Sequence, residues 1–407
     1  MINLYFNRHI FHFFLLGVAS GIPFLLTLST LSFRLTECKI SASMIGLFTL
    51  VTLPYSLKFL WAPFLDRFAH YCFKSRHSGL KIWGVSAQIG LVISTLLLGF
   101  FDPMQQLGAV AMAAFALSFF AASQDIVIDT LRVELLASNQ IGAGAAVESI
   151  GFKCGMLIGG AGALYLASLY DWRWAYWIMG FIQLLGIPAL LFIPVTAVGT
   201  VFAPIVSFIQ TLKTSFQSLY EETPFLYLIL FILLFKVSDT VMNAMSAPFL
   251  HDLAFNKIEY ANITKSFGIS LMVLGGLVAG YLIHQLGVIF IVGVSLFLQA
   301  VSCLLFIIQA WVGHNLSVLV ITVGVESFAS GMASAAFIAM ITIYCKSPFS
   351  AGHFTFLYAV GSLSRVIISL LAGVMADFVG WSWLFFLTAL TTVPAFWFLI
   401  CIKRTTK

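Results

Sequence analysis

Long apolar runs separated by short polar breaks dominate the chain. They cover residues 10–33, 44–63, 81–101, 107–130, 142–169 and 174–193. After a longer, more polar stretch, six more cover 225–248, 263–284, 287–311, 316–344, 352–376 and 381–402. A helix needs about 20 apolar residues to cross the hydrocarbon of a bilayer, so each run predicts one spanning helix. Within each set of six the breaks are mostly short, whereas 194–224 contains "QTLKTSFQSLYEETP" and reads as a cytoplasmic linker. The pattern predicts an all-α membrane protein with twelve transmembrane helices in two six-helix, pseudo-symmetric bundles, residues 1–193 and 225–407.

Composition supports lipid as the solvent. The 407 residues are 61% hydrophobic and 9% charged, with a mean hydropathy of +1.05. A soluble chain of this size cannot hide so much apolar surface. The halves also echo each other: "AGAAVESIGFKCGMLIGGAGALYLASLYDWRW" from 143 and "AGHFTFLYAVGSLSRVIISLLAGVMADFVGWSW" from 351 both open on Ala-Gly and close on Trp-x-Trp. Six spans plus six with an internal repeat resembles the plan of the major facilitator superfamily.

Charge changes the picture from fold to orientation. The net charge of +5 is read through membrane topology, with no nucleic-acid partner implied. With a cytoplasmic N-terminus, the inner segments carry Arg8, Arg67, Lys74, Arg76, Lys81, Arg132, Lys213, Lys346, Lys403, Arg404 and Lys407. The outer ones carry Arg34, Lys39, Arg173, Lys257 and Lys265. The positive-inside rule then places both termini in the cytoplasm. The opening "MINLYFNRHIFHFFLLGVAS" has a thin basic region and stays apolar through Leu31, so it reads as a retained first span rather than a cleaved signal. Six scattered cysteines without a CxxC pair read as small buried thiols.

Ionisable residues at membrane depth carry the functional signal, because a charge there is costly and usually faces a bundle interior or a water-filled cavity. "AASQDIVIDTLRVE" (121–134) follows an apolar run and places Asp125, Asp129 and Arg132 on one helical face. Two readings stand for these carboxylates: an ion pair at the membrane edge, or a proton carrier. Asp239 and Glu326 join Asp125 and Asp129 as proton-coupling candidates. Gln124, Lys153, Lys236, Asn243 and Arg365 are the substrate-cavity candidates. Lys236 and Asp239, three residues apart, are expected to pair either as a clamp or around substrate. Lys58, after "LPYS", reads as a cation snorkelling to the surface, and Pro54 should disrupt the second span.

Glycines recur at Gly151, Gly155 and Gly159, and again at Gly276 and Gly280, a spacing that permits close helix packing. In facilitator architecture the fifth and eighth spans face each other, so these glycines read as a sliding interface. The loop "APFLDRFAHYCFKSRHSGLK" (62–81) matches the centre of the facilitator G-x-x-x-D-R/K pattern through Asp66 and Arg67, with Ala62 where the first glycine would stand. Its reading is a gating loop or a basic loop that sets topology. No Gly-Lys dipeptide occurs, which excludes a Walker A loop. HExxH and GxSxG are absent, the histidines show no metal-ligand spacing, and no cofactor is implied. An enzyme is not expected, although an intramembrane enzyme with groups converging from different helices is the rival class.

Three stretches resemble the AmpG-type muropeptide permeases: "IGLFTLVTLPYSLKFLWAPFLDR" (45–67), "AASQDIVIDTLRVELL" (121–136) and "GAGAAVESIGFKCGML" (142–157). "GVASGIPFLLTLSTLSFRL" (17–35) also looks like that family's first span. All lie in the N-terminal half. The resemblance implies import of anhydro-muropeptides, which are cell-wall recycling fragments, across a bacterial inner membrane by alternating access driven by protons. It assigns 121–136 to the family's fourth-span motif. Relatives outside the muropeptide carriers include acetyl-coenzyme A transporters, so the alternative is a carrier or exchanger of another polar metabolite, such as an acyl-coenzyme A or sugar derivative.

Overall fold

The computed structural model describes residues 8–62, 76–135, 141–193, 225–344 and 350–405. Among these, eleven helices are long and apolar enough to cross a membrane: Phe11–Glu37, Gly79–Phe100, Leu107–Arg132, Val147–Leu169, Trp172–Leu191, Phe225–Asp252, Lys257–Leu286, Val288–Val312, Leu316–Ile343, Val360–Val379 and Trp381–Arg404. A shorter apolar helix, Ala42–Leu57, lies between the first two. Counting it, the helices are numbered below as spans one to twelve. The linker 194–224 and the gating residues Asp66 and Arg67 lie outside the described residues.

Local chemistry accounts for several boundaries. Asn256 starts the eighth span with a capping box, its side chain accepting from Ile258 N and Glu259 N while Glu259 reaches back to Asn256 N. Asp171 caps the sixth by accepting from Trp174 N at 2.9 Å. Gly287 and Gly380, at φ +85° and +80°, reverse the chain between spans eight and nine and between eleven and twelve, a conformation that costs a glycine little. The second span is interrupted as Pro54 predicts: a 3-10 turn at Thr49–Thr52 precedes the helix Leu53–Leu57, which carries the proline in its first turn.

Other breaks have side chains to satisfy them, as a backbone in lipid requires. The sixth span is broken after Gln183, and Gln88 of the third span donates its amide to the Gln183 carbonyl at 2.6 Å. A π-helical turn at Ile158–Gly162 widens the fifth span, where Thr30 of the first donates to the Gly159 carbonyl at 2.9 Å. A second π turn occupies Ala261–Phe267 of the eighth.

Contacts divide the chain into two units, Met1–Lys39 with Phe48–Phe202, and Ile40–Leu47 with Ala203–Lys407. Ile40–Leu47 falls inside the expected first bundle by sequence but groups with the second unit. There Gly46 and Gly373 allow backbone contact, and Asp377 accepts from Ser43 N at 2.8 Å and from Ala42 N at 3.2 Å. The first unit has a core around Phe13, Leu16, Val127, Leu131 and Leu190. In the second, Phe231, Phe235, Leu296, Phe337 and Leu399 pack together. Large apolar side chains such as Phe297, Trp311, Ile367 and Phe378 stay exposed, the surface expected of helices solvated by lipid.

Glycine packing differs from expectation in its partners. Gly151, Gly155 and Gly159 press against the backbone of Phe14, Val18 and Ile22 in the first span, interleaved with Gly17 and Gly21. The face read as a sliding surface is thus occupied within its own unit. In the second unit the close contacts fall one residue earlier than read. Gly275 meets the Phe328 carbonyl and Gly331 the Met272 carbonyl, whereas Gly276 makes an ordinary contact and Gly280 faces open space.

Candidate functional site

In the first unit the charged stretch of the fourth span becomes a network across three helices. Asp129 accepts from Arg132 Nη2 at 2.7 Å and from Lys58 Nζ at 3.4 Å, and the other guanidinium nitrogen, Nη1, donates to Glu148 of the fifth span. Arg132 is always charged, so it pairs with Asp129 and Glu148 together, and Lys58 supplies the second positive charge of the network. Lys58 reaches the Asp129 carboxylate, and its expected snorkelling gives way to this pairing. Asp125, one turn deeper, has no cation at bonding distance among the described residues. It accepts from Ser20 Oγ of the first span at 2.5 Å, with Lys58 within electrostatic reach. Next to it Gln124 is fully buried, and neither atom of its amide has a hydrogen-bond partner among the described residues. Burying such an amide unpaired costs about 1–3 kcal/mol. Lys153 lies half-buried on the fifth span.

The second unit holds its charges differently. The expected pair of Lys236 and Asp239 does not form a direct bond. Lys236 is 8% exposed and its ammonium stands 4.3 Å from the centre of the Phe337 ring. Asp239 instead accepts from Ser330 Oγ at 2.6 Å and from Asn243 Nδ2 at 3.2 Å. Phe337 is itself stacked on Phe235, with centroids 5.8 Å apart. A desolvated cation–π contact is worth about 2 kcal/mol, less than the several kcal/mol that a charge costs inside a membrane. Glu326 accepts from Ser327 Oγ at 3.0 Å and lies within electrostatic reach of Asp239 and Lys265. Arg365, on the eleventh span, meets no carboxylate at ion-pairing distance among the described residues and lies within electrostatic reach of Lys236.

Two cations assigned to outer segments turn out to be interior. Arg34 is 5% exposed, donates to the Leu98 and Phe101 carbonyls at the end of the third span, and faces the Tyr176 ring. It offsets the negative end of that helix. Lys265 is 8% exposed within the π turn of the eighth span, 5.0 Å from the Tyr260 ring centre. Sequence reasoning counts Lys265 with the outer segment because it stands at the very start of the apolar run at 263, whereas the helix begins at Lys257, eight residues before it. The Asn256–Glu259 capping box is the available signal. Glu148 is visible as an intramembrane carboxylate, but only packing of the fourth and fifth spans shows its partner. Cys154 and Cys303 are free thiols, and no cluster of metal-ligating side chains occurs among the described residues.

Buried ionisable groups inside two bundles of spanning helices define a membrane carrier. The sequence model described as Major Facilitator Superfamily matches residues 11–238 and 227–407. The chain belongs to the major facilitator superfamily, and within it to the AmpG-type transporters. It is 31% identical to the putative transporter AmpG 3 of Rickettsia prowazekii (strain Madrid E), covering 94% of this chain and 93% of that one. It is 30% identical to the anhydromuropeptide permease of Escherichia coli (strain K12), covering 96% of this chain and 79% of that one. Among solved structures it is similar to a point mutant of the nucleoside transporter NupG, with a TM-score of 0.75 at 13% identity, covering 97% of this chain and 99% of that one. A bacterial homologue of the human lysosomal transporter Spinster, inward-facing and occupied, gives a TM-score of 0.75 at 14% identity, covering 98% and 97%. These two likenesses concern the fold.

Proposed function

We propose that the chain is a secondary carrier importing anhydro-muropeptides across a bacterial inner membrane by alternating access, coupled to protons. The observation that carries this reading is 30% identity to an anhydromuropeptide permease over nearly the whole chain. The substrate is a small polar molecule and the protein a carrier rather than a catalyst. The domain division at 1–193, 194–224 and 225–407, and a gating role for Asp66 and Arg67, belong to the same proposal.

Orientation follows from charge. With Arg34, Lys265 and Arg132 removed from the count as interior residues, Arg8, Arg67, Lys74, Arg76, Lys81, Lys213, Lys346, Lys403, Arg404 and Lys407 stand against Lys39, Arg173 and Lys257. That asymmetry supports both termini in the cytoplasm.

Among the proton candidates Asp125 is favoured over Asp129. The Asp129 carboxylate is held by a permanent guanidinium, whereas Asp125 is held by a hydroxyl that serves either protonation state. Glu326 and Asp239 are the equivalent candidates of the second unit, each bonded to a serine hydroxyl.

The test is uptake of labelled anhydro-muropeptide into proteoliposomes with and without an inward proton gradient, for wild type and Asp125→Asn. Accumulation that the gradient drives, and that the variant loses, is the expected outcome. Uptake indifferent to the gradient removes proton coupling and keeps the substrate. No uptake by folded protein removes muropeptide as the cargo and turns the search to acyl-coenzyme A or sugar derivatives.

A further inference from the structure

Among the described residues, the interior of the second unit brings three cations near two carboxylates. Spans seven and eleven touch where Gly361 lies against Ile232 and Phe337, and Lys236 and Arg365 each follow one turn later on those helices. Asp239, Glu326 and Lys265 lie within electrostatic reach of this group. None of the five forms a direct ion pair among the described residues. The acids take hydroxyl and amide donors, and two of the cations rest on aromatic faces. Arg365 forms no hydrogen bond or ion pair among the described residues. Lys236 is buried and Arg365 half-buried; a charge withdrawn from water without a partner is costly, and a like charge within reach raises that cost. A protein that keeps such a pair leaves a place for a negative group brought from outside.

From this we infer that Lys236 and Arg365 form an anion subsite within the second unit that takes a carboxylate of the transported molecule. The inference rests on the proposed carrier function and assigns the chemical class recognised at one end of the substrate. Guanidinium and ammonium groups differ in how they serve it. Arg365 offers a planar fork that matches both carboxylate oxygens, and Lys236 supplies a point charge. Phe337 and Phe235, stacked behind Lys236, hold the ammonium in place with no competing oxygen. Asp239 stays within reach of Lys236 but is occupied by Ser330 and Asn243, so an incoming carboxylate does not have to displace it.

The experiment compares proteoliposome uptake of an anhydro-muropeptide with free carboxylates against the same compound with its carboxylates amidated. Wild type, Lys236→Gln, Arg365→Gln and the charge-keeping Lys236→Arg are measured side by side. Losing a charged hydrogen bond should raise KM for the free acid roughly tenfold or more in either Gln variant. KM for the amide should stay unchanged, and Lys236→Arg should retain discrimination between the two. Equal shifts for both compounds, or no shift, overturn the subsite while leaving the carrier function standing. If wild type carries neither compound, the functional reading fails and the subsite is read on purified protein by thermal shift with citrate, inorganic phosphate and a neutral disaccharide. Stabilisation by citrate that both Gln variants lose supports a carboxylate site. Stabilisation by phosphate alone, or a response identical in wild type and variants, overturns it.

Discussion

The two units bury charges inside their spans and treat them in opposite ways. The first closes its network: one guanidinium bridges the carboxylates of two helices, and a lysine completes it. In the second, the acids are held by hydroxyls and Lys236 and Lys265 by aromatic rings, with no direct ion pair joining these charges among the described residues. The first arrangement makes the charges part of the scaffold, since removing the guanidinium takes a partner from both carboxylates. In the second, Asp239, Glu326, Lys236 and Lys265 are each held by a neutral group, so removing one does not strand another. Asp125 is the exception within the first unit, deeper than its neighbours and bonded to a hydroxyl, that of Ser20.

The sharpest way to break this comparison is to remove its central member. Arg132→Met leaves Glu148 without its cation and Asp129 with Lys58 alone, and should cost about 3–5 kcal/mol, read as a lowered thermal midpoint in detergent. Adding Glu148→Gln and Asp129→Asn should recover most of that loss. Lys236→Met, by contrast, breaks no ion pair and should change stability by about 1 kcal/mol or less, in either direction. A loss at Lys236 as large as that at Arg132 would show that the second unit's charges are scaffold after all.

Backbone packing gives the next effect. Gly155→Val, whose side chain would collide with the Val18 carbonyl, should destabilise by about 1–3 kcal/mol or more. Gly280→Ala, facing open space in the eighth span, should be neutral or gain up to about 1 kcal/mol. Equal losses at both positions would return Gly280 to a packing role. Lys58→Met is the smallest change, because the lysine is partly exposed and 3.4 Å from Asp129. It should cost no more than about 1 kcal/mol. A lowered uptake rate with an unchanged thermal midpoint would move Lys58 from scaffold to transport.

Much of this is readable in the sequence. Each apolar run forms a helix, Pro54 interrupts the second span, and the four-residue spacing of Asp125 and Asp129 sets them on one face of the fourth. Arg34 and Lys265 look like loop charges because each stands at the edge of its apolar run, one residue past 33 and two past 263. A buried cation and a loop cation leave the same mark in a one-dimensional profile. The capping residue Asn256 marks the true start of the eighth span more accurately than hydropathy does.

The sequence by itself determined the solvent, the number of spanning segments and the short set of charges that lipid cannot tolerate alone, since these depend on composition and helical periodicity. Only the tertiary structure decided which charges meet. Arg132 and Glu148 are sixteen residues apart on different helices, and Lys236 and Asp239 are three apart on one helix, yet the distant pair bonds and the near pair does not. Pairing depends on where glycine faces let helices approach and which partner lies within reach of each side chain, and those are properties of packing in three dimensions.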